Sequence, residues 1–487
     1  MTHLNRRNFL RAGLAGTALA VLPQISASAA VPVLAQTATN AGAGAGSAGK
    51  RKPRRAQNVI FMVSDGMSHG TLTMAERFLR RHQNRGSYWF SLYDRADVRR
   101  ALMDTASASS LVTDSAAASS AWGCGQRVNN GSINYSTEGR PLTPILHLAR
   151  AAGMATGLVT TATITHATPA GFGAQATERA AEDDIAKCYL EARIDVLLGG
   201  GRRFFDPKTR ADRQDLAATF AAAGYALVRE SDALRTVPAA GPLLGLFAES
   251  HLPFSIDRQA DAGVVAKVPT LRDMTRVALN RLSRAGDGGF ILQIEGARID
   301  HAAHANDVGG LIFDQIAFDE TVGLVLEFLA EREDTLFILT SDHGNSNPGL
   351  NGMGAAYSES GLCFDRVAKF RQSNVWALSG LGPESTAAAV RDRLEASTAL
   401  VLNAEEVELI RRALRNEHRE GFRVRNDPLI ACAQVLSNYT GVGWTGVSHT
   451  ADFTELVAFG PGSEALRGLV KNSALFGVMT SALGLKV

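Results

Sequence analysis

The sequence is poor in cysteine. Cys124, Cys188, Cys363 and Cys432 are the four found in 487 residues, and no two of them stand at C-x-x-C spacing. That excludes a zinc-finger type of structural site. None precedes Cys124, so the N-terminal region offers no thiol for a lipid anchor. An excess of one charge is missing too. Lys and Arg number 50 against 48 Asp and Glu, a net charge of +2, which argues against a nucleic acid partner. A local basic cluster, Lys50-Arg-Lys-Pro-Arg-Arg55, lies in a linker-like stretch and reads as a solvated tether. The modest apolar run Ala12 to Val21 is too short and too rich in Ala and Gly for a stable membrane anchor. No internal repeat is visible. Gly199-Gly-Gly201 lacks the G-x-x-x-x-G-K-[ST] pattern of a phosphate loop and reads as a tight turn.

What remains is an ordinary soluble composition, 45% hydrophobic and 20% charged, in a chain long enough for two or three domains. The N-terminus reads as targeting. Asn5-Arg6-Arg7-Asn8-Phe9-Leu10-Arg11 is a twin-arginine pattern, and small residues beyond the apolar run allow cleavage after Ala29 or after Ala35. Residues 1–35 are therefore expected to be a signal peptide that exports the folded protein to a periplasmic or secreted location. Such a location permits disulfides, and four cysteines allow three full pairings. Cys124 reads as a small core residue. Residues 36–57, rich in Ala, Gly, Thr and basic residues, read as a flexible linker.

From residue 58 the chain alternates. Strands are expected over 58–64, 155–161, 194–198, 225–228, 290–294 and 335–339. Helices are expected over 71–82, from 115, and over 143–152, 178–192, 213–222, 271–283 and 313–332. The run over 58–64 reads as wholly apolar, as a sheet covered on both faces would need. This rhythm predicts an α/β fold with a mainly parallel sheet and helices on both sides. After His343 the rhythm changes: 345–354 reads as a loop and 385–415 as a helix broken near Leu402-Asn403. Residues 345–447 are expected to leave the sheet and return to deliver His449.

The chemistry concentrates where strands run out. Asp65 follows the first strand, His166 and Thr168 the second, Glu295, Asp300, His301 and His304 a later one, and Asp342 and His343 the last; His449 stands alone near the C-terminus. Ligands in open α/β sheets bind at strand ends, so these residues describe one converging site. Leu111-Val-Thr-Asp-Ser-Ala-Ala-Ala-Ser-Ser-Ala-Trp-Gly-Cys-Gly125 is its centre. Ser115 heads a helix of small residues, where a hydroxyl meets the positive dipole end and unpaired N–H groups. That suits an oxygen which must attack a phosphate; the same pattern also makes an ordinary N-cap. Two cations about 4 Å apart neutralise both ends of an in-line displacement. Asp and His suit zinc, while Glu, Asp and Thr oxygens suit magnesium.

The motifs V-x-D-G-M, T-D-S-A-A-x-x-x-A, H-A-T-P-A, E-G-x-x-I-D-x-x-x-H, T-S-D-H-G and H-T-A-D, in this order, resemble the alkaline phosphatase family from about Asn58 to about Gly462. The resemblance implies a three-layer α/β/α sandwich over 58–487, with 345–447 an insertion near the active-site entrance. It implies that Asp300, His304 and His449 hold a first zinc, that Asp65, Asp342 and His343 hold a second, and that Asp65, Thr168 and Glu295 hold magnesium. Ser115 would be the nucleophile of a phosphoserine intermediate, Arg179 the clamp on the phosphate oxygens, and Asp114 the residue that orients Arg179. His166 would lie near the magnesium site, directly or through water, and could shift that site toward zinc or cobalt. His301 would lie near the phosphate or the first zinc's water. Small phosphate monoesters would be the substrates and a homodimer the assembly. A phosphodiesterase of the same superfamily and a catalytically idle phosphate- or metal-binding protein are the alternatives; a sulfatase is excluded, because Ser115-Ala-Ala-Ala-Ser does not fit C-x-P-x-R or S-x-P-x-R.

Overall fold

Every residue of Asn58-Val-Ile-Phe-Met-Val-Ser64 is buried, and successive side chains take opposite sides, as a pleated strand requires. Ile60 and Met62 join one apolar cluster, while Val59, Phe61 and Val63 join another. The computed structural model describes residues 55–417 and 427–487, so the signal peptide with its cleavage site, and the linker before Arg55, lie outside the described residues.

The strands are β1 (Asn58–Ser64), β2 (Arg99–Asp104), β3 (Ala155–Thr163), β4 (Val196–Gly200), β5 (Ala226–Val228), β6 (Leu243–Leu246), β7 (Phe290–Gly296) and β8 (Thr335–Thr340), followed by four two-residue strands, β9 (Gly344–Asn345), β10 (Gly349–Leu350), β11 (Val442–Gly443) and β12 (His449–Thr450), and then β13 (Thr454–Phe459) and β14 (Gly468–Lys471). Ten of them form one sheet in the order β14-β2-β13-β8-β1-β7-β3-β4-β6-β5. All run parallel except β13, which opposes both β2 and β8. The mainly parallel sheet and its two helical layers are as expected. On one face the long helix Val308–Leu329 packs Ile312, Val322 and Val325 toward Ile60 and Met62. On the other, Trp122 and Phe172 sit 5.0 and 5.2 Å from the Phe61 ring.

Several boundaries differ from the sequence reading. The long helix begins at Val308 rather than 313, because Asp307 caps it by accepting from the Gly310 amide at 2.9 Å. The helix expected from 178 starts at Glu182, leaving Arg179 in a loop pinned to Gly131 by its own amide. The helix expected from 213 starts at Leu216 behind an Asp215 cap. Strands β2, β6, β13 and β14 were not expected.

Beyond β8 the chain leaves the ten-stranded sheet and rejoins it at β13. Between them, helices include Ala387–Thr398 and Ala404–Leu414, separated at Asn403, which closes a capping box with Glu406. Two short antiparallel ladders bring the ends of this excursion together: β10 with β11, and β9 with β12. All four cysteines are free thiols, and Cys124, Cys363 and Cys432 are buried. No helix among the described residues is long and apolar enough to cross a membrane.

Candidate active site

Four adjacent strands, β8-β1-β7-β3, end at one place. The register sets Val63 beside both Thr340 and Glu295, so Asp65, Glu295 and Asp342 emerge within a residue or two of one another. Gly66 turns the chain after Asp65 at φ +65°, and a side chain there would collide with the Asp300 carboxylate. Its amide donates to Asp342 Oδ1 at 3.0 Å. The glycine of V-x-D-G-M is thus required by both its backbone angle and its neighbour. Asp300 and His304 lie one turn apart on the helix Arg298–His304 that follows β7. His449 arrives through β12, paired opposite Asn345.

The helix Ser115–Cys124 is buried along its whole length. Small residues let it lie against the helix Ala167–Gly173, where a Cβ on Gly123 would strike the Gly171 carbonyl. Asp114 is its N-cap, accepting from the Ala117 amide at 2.9 Å through Oδ1. The other carboxylate oxygen accepts from Arg179 Nη1 at 3.1 Å and from the Gly131 amide at 3.0 Å. Asp114 therefore both caps the helix and holds Arg179. Ser115 occupies the first helical position with its Oγ 3.3 Å from His343 Nε2.

Three groups of ligand atoms cluster, each with all atoms within 4.8 Å of one another: Asp300, His343 and His449; Asp65, Asp342 and His343; Asp65, His166 and Glu295. His304 joins the first, with Nε2 3.0 Å from His449 Nε2 and 3.5 Å from Asp300 Oδ2. The hydroxyl of Thr168 is buried beside Glu295. Both oxygens of Asp65, Oε1 of Glu295 and the Thr168 hydroxyl have no hydrogen-bond partner. Buried acceptors in that state are expensive, and multivalent cations would satisfy them.

The electrostatics point the same way. Burial first, and then the neighbouring carboxylates Asp342, Asp300 and Glu295, push Asp65 well above the usual carboxylate range. Burial pushes Glu295 up to about 7, although Thr160 donates to it at 2.5 Å. Burial opposes charge on Asp342 and His343 as well, but their contact at 3.1 Å outweighs it, holding the carboxyl low and the imidazole high. His449, largely buried and stacked 3.6 Å from the His343 ring, is lowered to about 4 by burial and by the neighbouring His343, which favours its neutral form. Its Nδ1 faces the Thr113 carbonyl at 2.8 Å, and His304 Nδ1 faces the Val447 carbonyl at 2.8 Å, leaving the two Nε2 atoms directed at the cluster.

His166 contacts the guanidinium of Arg179 through Nε2 at 3.1 Å, and its buried Nδ1 has no partner. Since Arg179 only donates, Nε2 accepts and Nδ1 is the atom that carries the proton. His301 accepts from Arg298 Nη1 at 2.7 Å through Nδ1. Burial holds both imidazoles well below the ordinary value.

Four supporting residues escaped the sequence reading. Asn345 donates to Asp300 Oδ1 at 2.7 Å and fixes that carboxylate. Thr160 anchors Glu295. Arg298 lies 3.8 Å over the Phe254 ring and orients His301. His251 packs its ring 4.4 Å from His301 and 5.7 Å from His166, accepting from the Thr163 amide at 3.1 Å. Arg298 and Asn345 stand beside motif residues and were within reach of a closer reading; His251 belongs to no motif.

The chain was compared with known proteins. Residues 56–485 match the family described as "Alkaline phosphatase", and residues 3–23 match the twin-arginine translocation pathway signal sequence, which marks the protein for export by that route. The chain is 31% identical over 439 residues to alkaline phosphatase 4 of Bacillus subtilis (strain 168), covering 88% of each. It is similar to the crystal structure of the Thermus thermophilus alkaline phosphatase, with a TM-score of 0.84 and 39% identity over 89% of this chain and 92% of that one. A cold-active alkaline phosphatase from a psychrophilic Shewanella is similar at a TM-score of 0.73 and 27% identity, over 88% of this chain and 99% of that one.

Proposed function

The chain belongs to the alkaline phosphatase family, and on that premise we propose that this exported, metal-dependent phosphatase hydrolyses phosphate monoesters through a phosphoserine at Ser115, with two zinc ions and one magnesium as its cofactors. The observation that carries the reading is the placement of the Ser115 hydroxyl, at the head of a buried helix and 3.3 Å from an imidazole shared by two of the three ligand clusters. Asp300, His304 and His449 fit one zinc and Asp65, Asp342 and His343 the other, by the chemistry of their donors. Asp65, Glu295 and the orphaned Thr168 hydroxyl supply the oxygens that magnesium prefers. When bound, these ions lower the barrier by neutralising the attacking and leaving oxygens.

The protein's own groups do the rest. Ser115 Oγ attacks phosphorus in line, the P–O bond to the alcohol breaks, and the alcohol leaves with a proton; water then cleaves the phosphoserine and frees phosphate. Helix N-terminal amides beside Ser115 favour the charge on the phosphoryl oxygens. Arg179, held in place by Asp114, presents its fork to two of those oxygens. His166, clustered with Asp65 and Glu295 and held by Arg179, would act at the third cation directly or through a water.

The test is turnover of a chromogenic monoester and its matching diester by metal-stripped protein, with zinc restored alone or with magnesium at alkaline pH. Monoester turnover that requires zinc and rises with magnesium is expected. Preference for the diester would move the protein to the phosphodiesterase branch, and indifference to magnesium would void the roles of Thr168 and Glu295. No turnover with any metal would favour a binding protein.

A further inference from the structure

A cavity of about 640 Å³ opens on the flank of the site and is floored by His301 and His304. Its walls include Phe254, Val375, Leu429 and Ile430. Val375 stands at the start of the helix Asn374–Ser379, and Leu429 and Ile430 stand at the start of Pro428–Thr440, so the excursion builds much of the wall. The volume lies within the range of about 300–1,000 Å³ typical of sites for whole organic ligands, and a phosphoryl group alone would fill little of it.

The position is informative. In-line attack by Ser115 drives the ester alcohol to the side of phosphorus opposite Oγ. Ser115 belongs to the helical layer that packs on Val59, Phe61 and Val63. The residues beneath the cavity belong to the other layer, in which Ile299, Ala302 and Ala303 pack with Ile60 and Met62. Ser115 and the cavity thus flank the strand ends from opposite faces of the sheet, which leaves the cavity open to an alcohol departing opposite Oγ. Arg298, stacked on Phe254 and bonded to His301, presents a flat cation at the same wall, a surface that favours a ring face.

We propose that this cavity is the leaving-group subsite and that it selects phosphate monoesters of apolar, ring-bearing alcohols over those of small or highly polar ones. The inference rests on the monoesterase reading above. It assigns a selectivity role to Val375 and Leu429, neither of which belongs to the metal or phosphate machinery.

Methyl and phenethyl phosphate serve as substrates with alcohols of similar basicity, and methyl- and phenethylphosphonate as non-hydrolysable ligands for calorimetry on the metal-loaded protein. The phenethyl compounds should exceed the methyl ones by at least about tenfold, in kcat/KM and in affinity. Leu429→Asp, which makes the wall polar, and Val375→Trp, which fills the space, should each remove most of that preference. Methyl phosphate turnover should stay within about twofold of the unaltered protein, with the melting temperature showing that each variant is folded. Equal affinity for the two phosphonates, or a preference that survives both substitutions, would overturn the inference. If neither ester is turned over while the phosphonate preference appears and is lost in the variants, the subsite stands and the monoesterase reading falls.

Discussion

The strand ends and the excursion hold their side chains in different ways. At the ends of β8, β1, β7 and β3 each functional group lies within a few residues of a parallel ladder buried on both faces, and Asp65, Glu295, Asp342 and His343 are wholly buried. Between β9 and β12 no strand among the described residues joins the main sheet; the chain presents Val375, Leu429 and Ile430 from helix starts around an open cavity. The difference teaches a division of labour. Groups that must meet reacting atoms within tenths of an ångström are set by sheet register, whereas groups that choose among substrates are set by helices free to differ without disturbing that register.

Substitutions can break or sharpen this division. The largest effect belongs to Ser115→Ala, which should lower kcat by at least about 10³-fold with the melting temperature unchanged, since the residue contributes an attacking atom and little packing. Undiminished turnover would remove Ser115 from the mechanism. Asp65→Asn comes next, because Asp65 takes part in two of the three ligand clusters. Bound metal, measured by elemental analysis, should fall, and kcat/KM should drop by at least about 100-fold; full metal content would show that the clusters do not share this carboxylate. Asn345→Ala releases the Asp300 carboxylate from its 2.7 Å hydrogen bond and should cost about 10–100-fold in metal affinity or activity. The smallest effect is expected from Asn403→Ala in the excursion. Losing the capping box should destabilise the protein by about 1 kcal/mol in denaturant unfolding while leaving kcat unchanged. If kcat fell as far as in Asn345→Ala, the two regions would be coupled and the division would fail.

Legibility in the sequence followed burial at the centre of the sheet, although β6, buried at all four residues, and β13, buried at five of six, were not read. β1, β7 and β8 read as strands because short apolar runs end at turn residues, β3 because β-branched residues flank its Leu-Val centre, and their polar exits marked the site. β2, in contrast, alternates exposed and buried residues along Arg-Arg-Ala-Leu-Met-Asp, and β14 has four residues with only Val470 buried; so short or half-exposed a strand gives little signal. The start of the long helix was hidden by Gly309-Gly310, weak helix formers that the Asp307 cap overrides. The loop position of Arg179 was masked by the helical pattern after it, although the acidic run Glu182-Asp183-Asp184 marks where the first turn begins. His251 shows the limit of motif reading. It meets His301 and His166 only because β3, the loop after β6 and the helix after β7 converge, and that convergence is a property of topology.

The two short ladders at the base of the excursion have an evolutionary consequence. β10 with β11 and β9 with β12 fasten residues 344–350 to residues 442–450, so His449 takes its position from Asn345 rather than from the ninety or so residues that precede it. Lengthening a closed loop adds little entropic penalty. The segment between the ladders is therefore a cassette that can be lengthened, trimmed or exchanged while His449 remains in register, and a protein engineer could graft a foreign segment across Leu350 and Val442 to give the same proposed centre a different clientele.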